Sequence, residues 1–444
     1  MKNCNRWRAT KLALLFSVLG NICFAQNNPV VQTKYTADPA PFVYKDTVFL
    51  YTTHDEDDAK GFKMLNWLLY TSTDMANWTD RGIVASLDDF SWGTKGNGAW
   101  ALQVIERDGK FYMYCPMHGK GLGVLVADNP YGPFKDPLNK KLIETDHTWN
   151  DIDPSPFIDD DGQAYLYWGN PDLYCVKLNK DMISYSGEVI KVASKPANYQ
   201  EGPWVWKREG HYYLAYASTC CPEGIGYAMS TSPLGPWEYK GMVMDATKRS
   251  NGNHPGIIDY KGKSYTFGLN YELLRKISPE HSERRSVSVA EMTYNADGTI
   301  QTLPFWLPEG VAQVENFNPF RRVEAETIAW AEGLKTERNP VSGMYVTNID
   351  NNDYLKVRGV DFGKGAKKFE ASLASVKAGS TIEIRIDSLN GPLISVCKVK
   401  PSGDLNKWST SLSKLKKTKE VHDVYFVFKG EGGELFNFDW WKFY

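Results

Sequence analysis

Three carboxylic acids and a histidine stand at equivalent places in a repeated sequence pattern. Asp38, Trp100, Asp153, Glu201 and His254 each lead a segment of similar design, at spacings of 62, 53, 48 and 53 residues. If the repeat closes on itself, the five leaders converge. Acids at a crowded point of convergence cost desolvation and mutual repulsion, which packing alone does not select. Hydrolysis of a glycosidic bond needs such a set. One carboxylic acid donates a proton to the leaving oxygen while a carboxylate activates water or attacks the sugar. A third acid nearby raises the pKa of the donor and holds substrate hydroxyls. Carboxylates beside a histidine also suit calcium, and any one Asp-Pro taken alone reads as a turn residue.

The segments that carry these residues are Asp38 to Tyr51, Trp100 to Tyr114, Asp153 to Trp168, Glu201 to Tyr216 and His254 to Gly268. In each, an apolar run, a turn with Asp or Gly and a second run rich in Tyr or Phe spell a β-hairpin, as at Asp108-Gly109 and Asp161-Gly162. A second signature lies between them: Ser72 to Gly82, Asn129 to Asp136 and Ser232 to Gly241 read as one outer corner used in different units. Four strands per unit of roughly 40–50 residues is the arithmetic of a β-propeller. Residues 30–312 are therefore expected as an all-β, five-bladed propeller whose innermost strands bring the leaders around one pocket. The pattern changes after Pro308. Asn316 to Phe320 reads as a linker, and short alternating runs over 321–444 predict a β-sandwich of the jelly-roll kind. The polar, proline-containing linker predicts a separable module, with the propeller folded on its own.

Composition narrows the partners. Lys and Arg number 51 against 53 Asp and Glu among 444 residues, which argues against a nucleic-acid partner. The 15 Trp, 25 Tyr and 20 Phe suit either sugar faces or an aromatic sheet core. Lys2, Arg6, Arg8 and Lys11 precede an apolar stretch from Leu12 to Phe24, so residues 1–25 read as a signal peptide cut after Ala25. The protein is expected to be exported, periplasmic or secreted, and no later run is long enough for a membrane span. Five cysteines remain after that cut, with no spacing that suits zinc. The adjacent Cys220 and Cys221 are expected as two buried thiols rather than a disulfide.

Asp38 to Phe42, Trp149 to Asn170, Glu201 to Trp204 and Asn253 to Gly256 closely resemble family-43 glycoside hydrolases, over about residues 30–310. The resemblance implies an inverting enzyme, without organic cofactor, acting on arabinose- or xylose-containing plant cell-wall polysaccharide. It makes Asp38 the general base, Glu201 the general acid and Asp153 the residue that orients the acid and modulates its pKa. Trp100 becomes a substrate-binding aromatic, and His254 the channel histidine that holds a hydrated ion, usually calcium. The loops His54 to Asp58, Asp89 to Trp92 and Gly98 to Trp100 look most like those of arabinofuranosidases that strip side chains from arabinoxylan. A β-xylosidase is the close alternative. A non-catalytic glycan-binding propeller is the alternative from another class, and the complete acid set speaks against it.

The C-terminal part resembles a family-6 carbohydrate-binding module at Val323 to Trp330, Gly343 to Gly363 and Leu435 to Phe443. That likeness implies a structural calcium held partly by Glu324, Glu326 and Asp439, and sugar contacts from Trp408 and Asn437. Asn348 departs from it, standing where many members carry an aromatic residue.

Overall fold

The computed structural model describes residues 26–247 and 252–444, so the segment read as a signal peptide lies outside the described residues. The N-terminal part is a ring of five antiparallel sheets. Their innermost strands are Tyr35–Tyr44, Gln103–Arg107, Ser155–Ile158, Tyr199–Arg208 and Gly256–Tyr260, the five runs that contain or follow the leaders.

Side-chain alternation closes the ring. Along Lys110–Met117 of blade 2, Phe111, Met113 and Cys115 pack toward blade 1, while Tyr112 and Tyr114 pack toward blade 3. Along His211–Ser218 of blade 4, Tyr212, Leu214 and Tyr216 meet blade 3, and Tyr213 and Ala215 meet blade 5. Blade 1 closes onto blade 5 through Val48, Leu50 and Tyr70 against Tyr265, Phe267 and Val289. Strands buried on both faces read as continuous apolar runs, which explains the hairpin signature. Each such side chain contributes roughly 1.5–3 kcal/mol by leaving water. Among the described residues, the one α-helix is Glu272–Ile277, and no helix is long and apolar enough to cross a membrane.

The C-terminal part packs two sheets face to face, one of them centred on Asn437–Phe443 and Ala366–Ala374, the other on Tyr354–Asp361 and Val421–Lys429. Phe369, Phe426, Phe438, Trp441 and Phe443 fill the space between them.

This module is docked on the propeller and not loosely tethered. Its strand Thr327–Ile328 pairs with Trp78–Ser86 as a fifth strand of blade 1. Lys34 donates to Asp80 at 2.7 Å and to the Thr336 carbonyl at 3.0 Å, and the Ala331 amide donates to Gln32. Even the linker is held, because the Phe317 amide donates to the Gly359 carbonyl at 2.8 Å. The outer strand of blade 1 would otherwise be an unpaired edge, and the module covers it.

The cysteine expectation is corrected. Cys220 and Cys221 are joined by a disulfide and are exposed, whereas Cys115, Cys175 and Cys397 are buried thiols. The two residues sit in the turn after His211–Ser218 and not inside a strand, so no core takes up their side chains.

Candidate active site

All five leaders line one cavity of about 320 Å³ at the mouth of the channel. They reach it through irregular backbone. Asp38, at a break within its strand, and Asp153, just before its strand, adopt left-handed conformations with φ of 48° and 60°. The ladder of Tyr35–Tyr44 breaks between Ala37 and Ala40, and that of Tyr199–Arg208 breaks on both sides of Glu201. A bulge re-aims a side chain that regular pleating would send into a blade interface. Such φ values are sparsely populated in non-glycine residues and persist only where the surroundings enforce them. Gly202 follows Glu201 with φ 60°, and a Cβ there would stand 2.8 Å from the His254 ring. Only glycine lets the two meet.

His254 is the hub. Its Nδ1 faces Asp38 at 3.4 Å, and its Nε2 lies 3.2 Å from Glu201 and 3.8 Å from Asp153. Asp38 and Glu201 thus flank opposite nitrogens of one imidazole. Burial would lower the pKa of His254, but the charges of Asp153, Asp38 and Glu201 outweigh it and raise the value to about 10. The carboxylates around it so favour the protonated ring. Burial pushes the Asp153 carboxyl up to about 8; His254 opposes the shift, and Glu201 and Asp38 add to it. The cluster so retains a proton near neutrality, and burial favours Asp153 as its holder.

Each acid has its own partners. Asp38 accepts from Thr53 at 2.9 Å and is paired with Arg285 at 3.1 Å. Asp153 accepts the Gly202 amide at 3.1 Å, and Glu201 accepts from Asn170, which is held in turn by Gln200. Trp100 stacks on His118 with ring centroids 3.9 Å apart and so presents a fixed ring to the cavity.

Sequence reasoning missed three polar residues here. Arg285 is buried between Asp38 and Asp55, and their charges raise its pKa against the opposing effect of burial. Glu223 is 2% exposed, lines the cavity and is raised to about 8 by burial, with the charge of Glu201 adding to it. Asn170 closes the set. Arg285 and Glu223 sit in the approaches to strands, outside the leader register, so the repeat gave no signal for them. Asn170 lay at the end of the Trp149 to Asn170 motif and was legible there.

Asp153, Glu201 and His254 offer one ligand atom each within 4.8 Å of one another, a set that could hold a metal ion. Two carboxylates and a nitrogen are fewer donors than the six to eight oxygens that calcium takes, so an ion here would keep most of its water.

In the module the candidates separate. Arg322 lies between Glu324, at 2.9 Å, and Asp439, at 3.5 Å, in the position a cation would take. Glu326 is 3% exposed at the junction with the propeller, beside Trp78 and Tyr70, with Oε2 lacking a hydrogen-bond partner. These three acids form no common cluster among the described residues. Asn437 is buried, accepting from Thr347 and donating to the Leu405 carbonyl, so its amide is already engaged. Trp408 is half-buried, edge-on to Tyr345 with centroids 5.5 Å apart.

Comparison with known proteins places this geometry. The sequence profile of glycosyl hydrolases family 43 matches residues 26–300, and that of the family 6 carbohydrate binding module matches 324–444. The chain is 33% identical to an arabinoxylan arabinofuranohydrolase of Bacillus subtilis (strain 168), over 94% of this chain and 92% of that one. It is 33% identical to another of that name from Paenibacillus polymyxa, over 94% of this chain and 74% of that one. A crystal structure of a family 43 arabinoxylan arabinofuranohydrolase from Bacillus subtilis, in complex with cellotetraose, superposes with a TM-score of 0.85 at 30% identity, covering 94% of this chain and 97% of that one. A xylosidase/arabinosidase of Bacteroides ovatus is 28% identical over 62% of this chain and 96% of its own. With three acids about one imidazole in a propeller mouth, and a sugar-binding sandwich behind them, the chain belongs to family 43 of the glycoside hydrolases.

Proposed function

We propose that this enzyme removes α-L-arabinofuranosyl side chains from arabinoxylan-type plant polysaccharide, with inversion, after export through its N-terminal leader. One observation carries the chemistry: Asp38 and Glu201, two acids with different partners, flank opposite nitrogens of His254 and line one cavity of about 320 Å³. Asp38, beside the Arg285 guanidinium, takes a proton from water as that water attacks the anomeric carbon. Glu201 donates its proton to the leaving oxygen of the polysaccharide. Asp153, whose carboxyl burial raises to about 8, keeps a proton in the cluster near neutrality for Glu201 to donate, and it fixes the Glu201 turn by accepting the Gly202 amide. The two arabinofuranohydrolase relatives, each aligned over 94% of this chain, support the substrate.

A hydrated calcium ion in the channel would be held by Asp153 and Glu201 through its water, with His254 giving up its proton as the ion binds, and would supply positive charge there. A second calcium in the module would need Glu324 and Asp439 to exchange Arg322 for the ion. Trp408 is the aromatic proposed for sugar contact in the module.

The test is incubation with wheat arabinoxylan, with product chromatography and proton NMR of the first turnover. Arabinose should appear first as the β-anomer, with the xylan backbone left intact. Xylose released from xylo-oligosaccharides in place of arabinose would make the protein a β-xylosidase. A first product of retained configuration would overturn the base assignment of Asp38.

A further inference from the structure

The disulfide between Cys220 and Cys221 lies on the wall of the catalytic cavity, exposed, in a protein whose other described cysteines are buried thiols. Adjacent cysteines bonded to each other cannot join distant parts of the chain, so the bond closes no loop of the kind by which disulfides stabilise a fold. What it does locally is replace two polar, mobile thiols with one small rigid ring in the cavity wall. Its place in the cavity is specific. Ligand atoms of Cys220, Cys221 and the buried Glu223 lie within 4.8 Å of one another, and Glu223 accepts the backbone amide of Asn253, next to His254. The turn starts where Thr219, with φ 56°, donates its amide to Asn198. The disulfide therefore belongs to blade 4, which also carries Glu201, while Asp38 and its partner Arg285 come from blades 1 and 5.

We propose that the Cys220–Cys221 disulfide forms a sugar-contacting wall of the leaving-group side of the cleft and sets affinity for the polysaccharide chain that departs from Glu201. This rests on Glu201 being the acid. A sulfur-sulfur ring is polarizable and weakly hydrated, so it packs against the C–H face of a sugar much as an aromatic ring edge does. Two free thiols in the same turn regain rotamers and lose that fixed surface. Export to an oxidising compartment keeps the bond formed.

The experiment compares arabinoxylan oligosaccharides with an aryl arabinofuranoside, which has no polysaccharide chain. Wild type, the Cys220→Ser/Cys221→Ser double variant and wild type treated with dithiothreitol are assayed side by side. In the last arm the dithiol is oxidised to its cyclic disulfide, and two electrons and two protons pass to the enzyme as two thiols. The ratio of KM for oligosaccharide to KM for aryl glycoside should rise about fivefold in both altered forms, equal to about 1 kcal/mol of lost binding. Dithiothreitol should add nothing to the double variant, and reoxidation should restore the wild-type ratio. Parallel movement of both KM values, or an unmoved ratio in the reduced wild type, would overturn the proposal. The reduced arm needs no mutation, so a misfolded variant does not decide it. Failure of Glu201 as the acid would show separately, as equal losses on both substrates in Glu201→Gln.

Discussion

At the scale of single residues, Glu201 and Asp153 make separable claims. Glu201→Gln keeps the shape of the side chain but has no proton to give. Hydrolysis of polysaccharide should fall by about 10²–10⁴, while an aryl glycoside with a good leaving group should lose much less. Steady-state rates on the two substrates check this; retention of half the wild-type rate on polysaccharide would remove Glu201 from the acid's role. Asp153 predicts a pH effect. Its carboxyl, with Glu201 and Asp38 beside it, is raised to about 8, and the proton so retained belongs to the cluster as a whole. In Asp153→Asn the cluster loses the carboxyl that burial raises to about 8, so the proton it retains near neutrality is no longer held there. The alkaline limb of kcat/KM should move to lower pH, with a large fall in rate. A raised KM with an unmoved limb would leave Asp153 a binding residue only.

His254 adds a statement about stability. Its folded value, about 10, lies above the unfolded value near 6.5. The stability it contributes is complete below the unfolded value, declines as pH rises and is gone above the folded value. Asp153 acts in the same sense lower down, because a raised carboxyl costs stability increasingly from its unfolded value of 3.8 up to about 8. Thermal melts should therefore fall between pH 8 and 10 in wild type, by up to about 1.4 kcal/mol per pH unit. In His254→Asn that decline should flatten. Equal slopes in the two proteins would mean the ring is not held as an imidazolium.

At the scale of elements, the bulged starts of the inner strands matter more than the strands themselves. Glu201 can meet His254 only because position 202 has no Cβ and takes a positive φ. Gly202→Ala brings both a left-handed alanine and a contact of 2.8 Å with a ring held among three carboxylates. The strain should exceed about 1 kcal/mol, and activity should drop well beyond what that loss of stability explains, because His254 must turn. Circular dichroism melts and kcat, measured together, check both parts. An unchanged kcat would show that the imidazole tolerates displacement.

For the whole molecule, the junction sets the expectation for truncation. Removing residues after Phe320 takes away the fifth strand of blade 1 together with buried Glu326, and uncovers Trp78, Tyr70 and Val30. It also leaves Lys34 and Asp80 without Thr336. The truncated propeller should therefore be less stable, with a lower Tm and lost soluble yield, and activity on aryl glycosides should fall with it. A truncated form with the wild-type Tm would mean that blade 1 needs no cover. Loss of activity on insoluble arabinoxylan alone would mark the module as a targeting device that acts through local concentration.

The sequence by itself determined the repeat, the acids and their convergence. Alternating apolar runs and Asp-Gly turns are local, and a hairpin repeated in register leaves its leading residues little choice but to meet at the axis. The family motifs then named roles that spacing alone leaves open. Tertiary structure decided what depends on residues distant in sequence. Arg285 reaches Asp38 across 247 positions, outside any repeat. The proton balance of Asp153 follows from burial, which a sequence does not state. Glu324 and Asp439 meet only because their strands pair side by side, and Arg322 stands between them. The module's grip on blade 1 is a pairing of Thr327–Ile328 with Trp78–Thr79, two short segments whose complementarity appears only once both sheets exist.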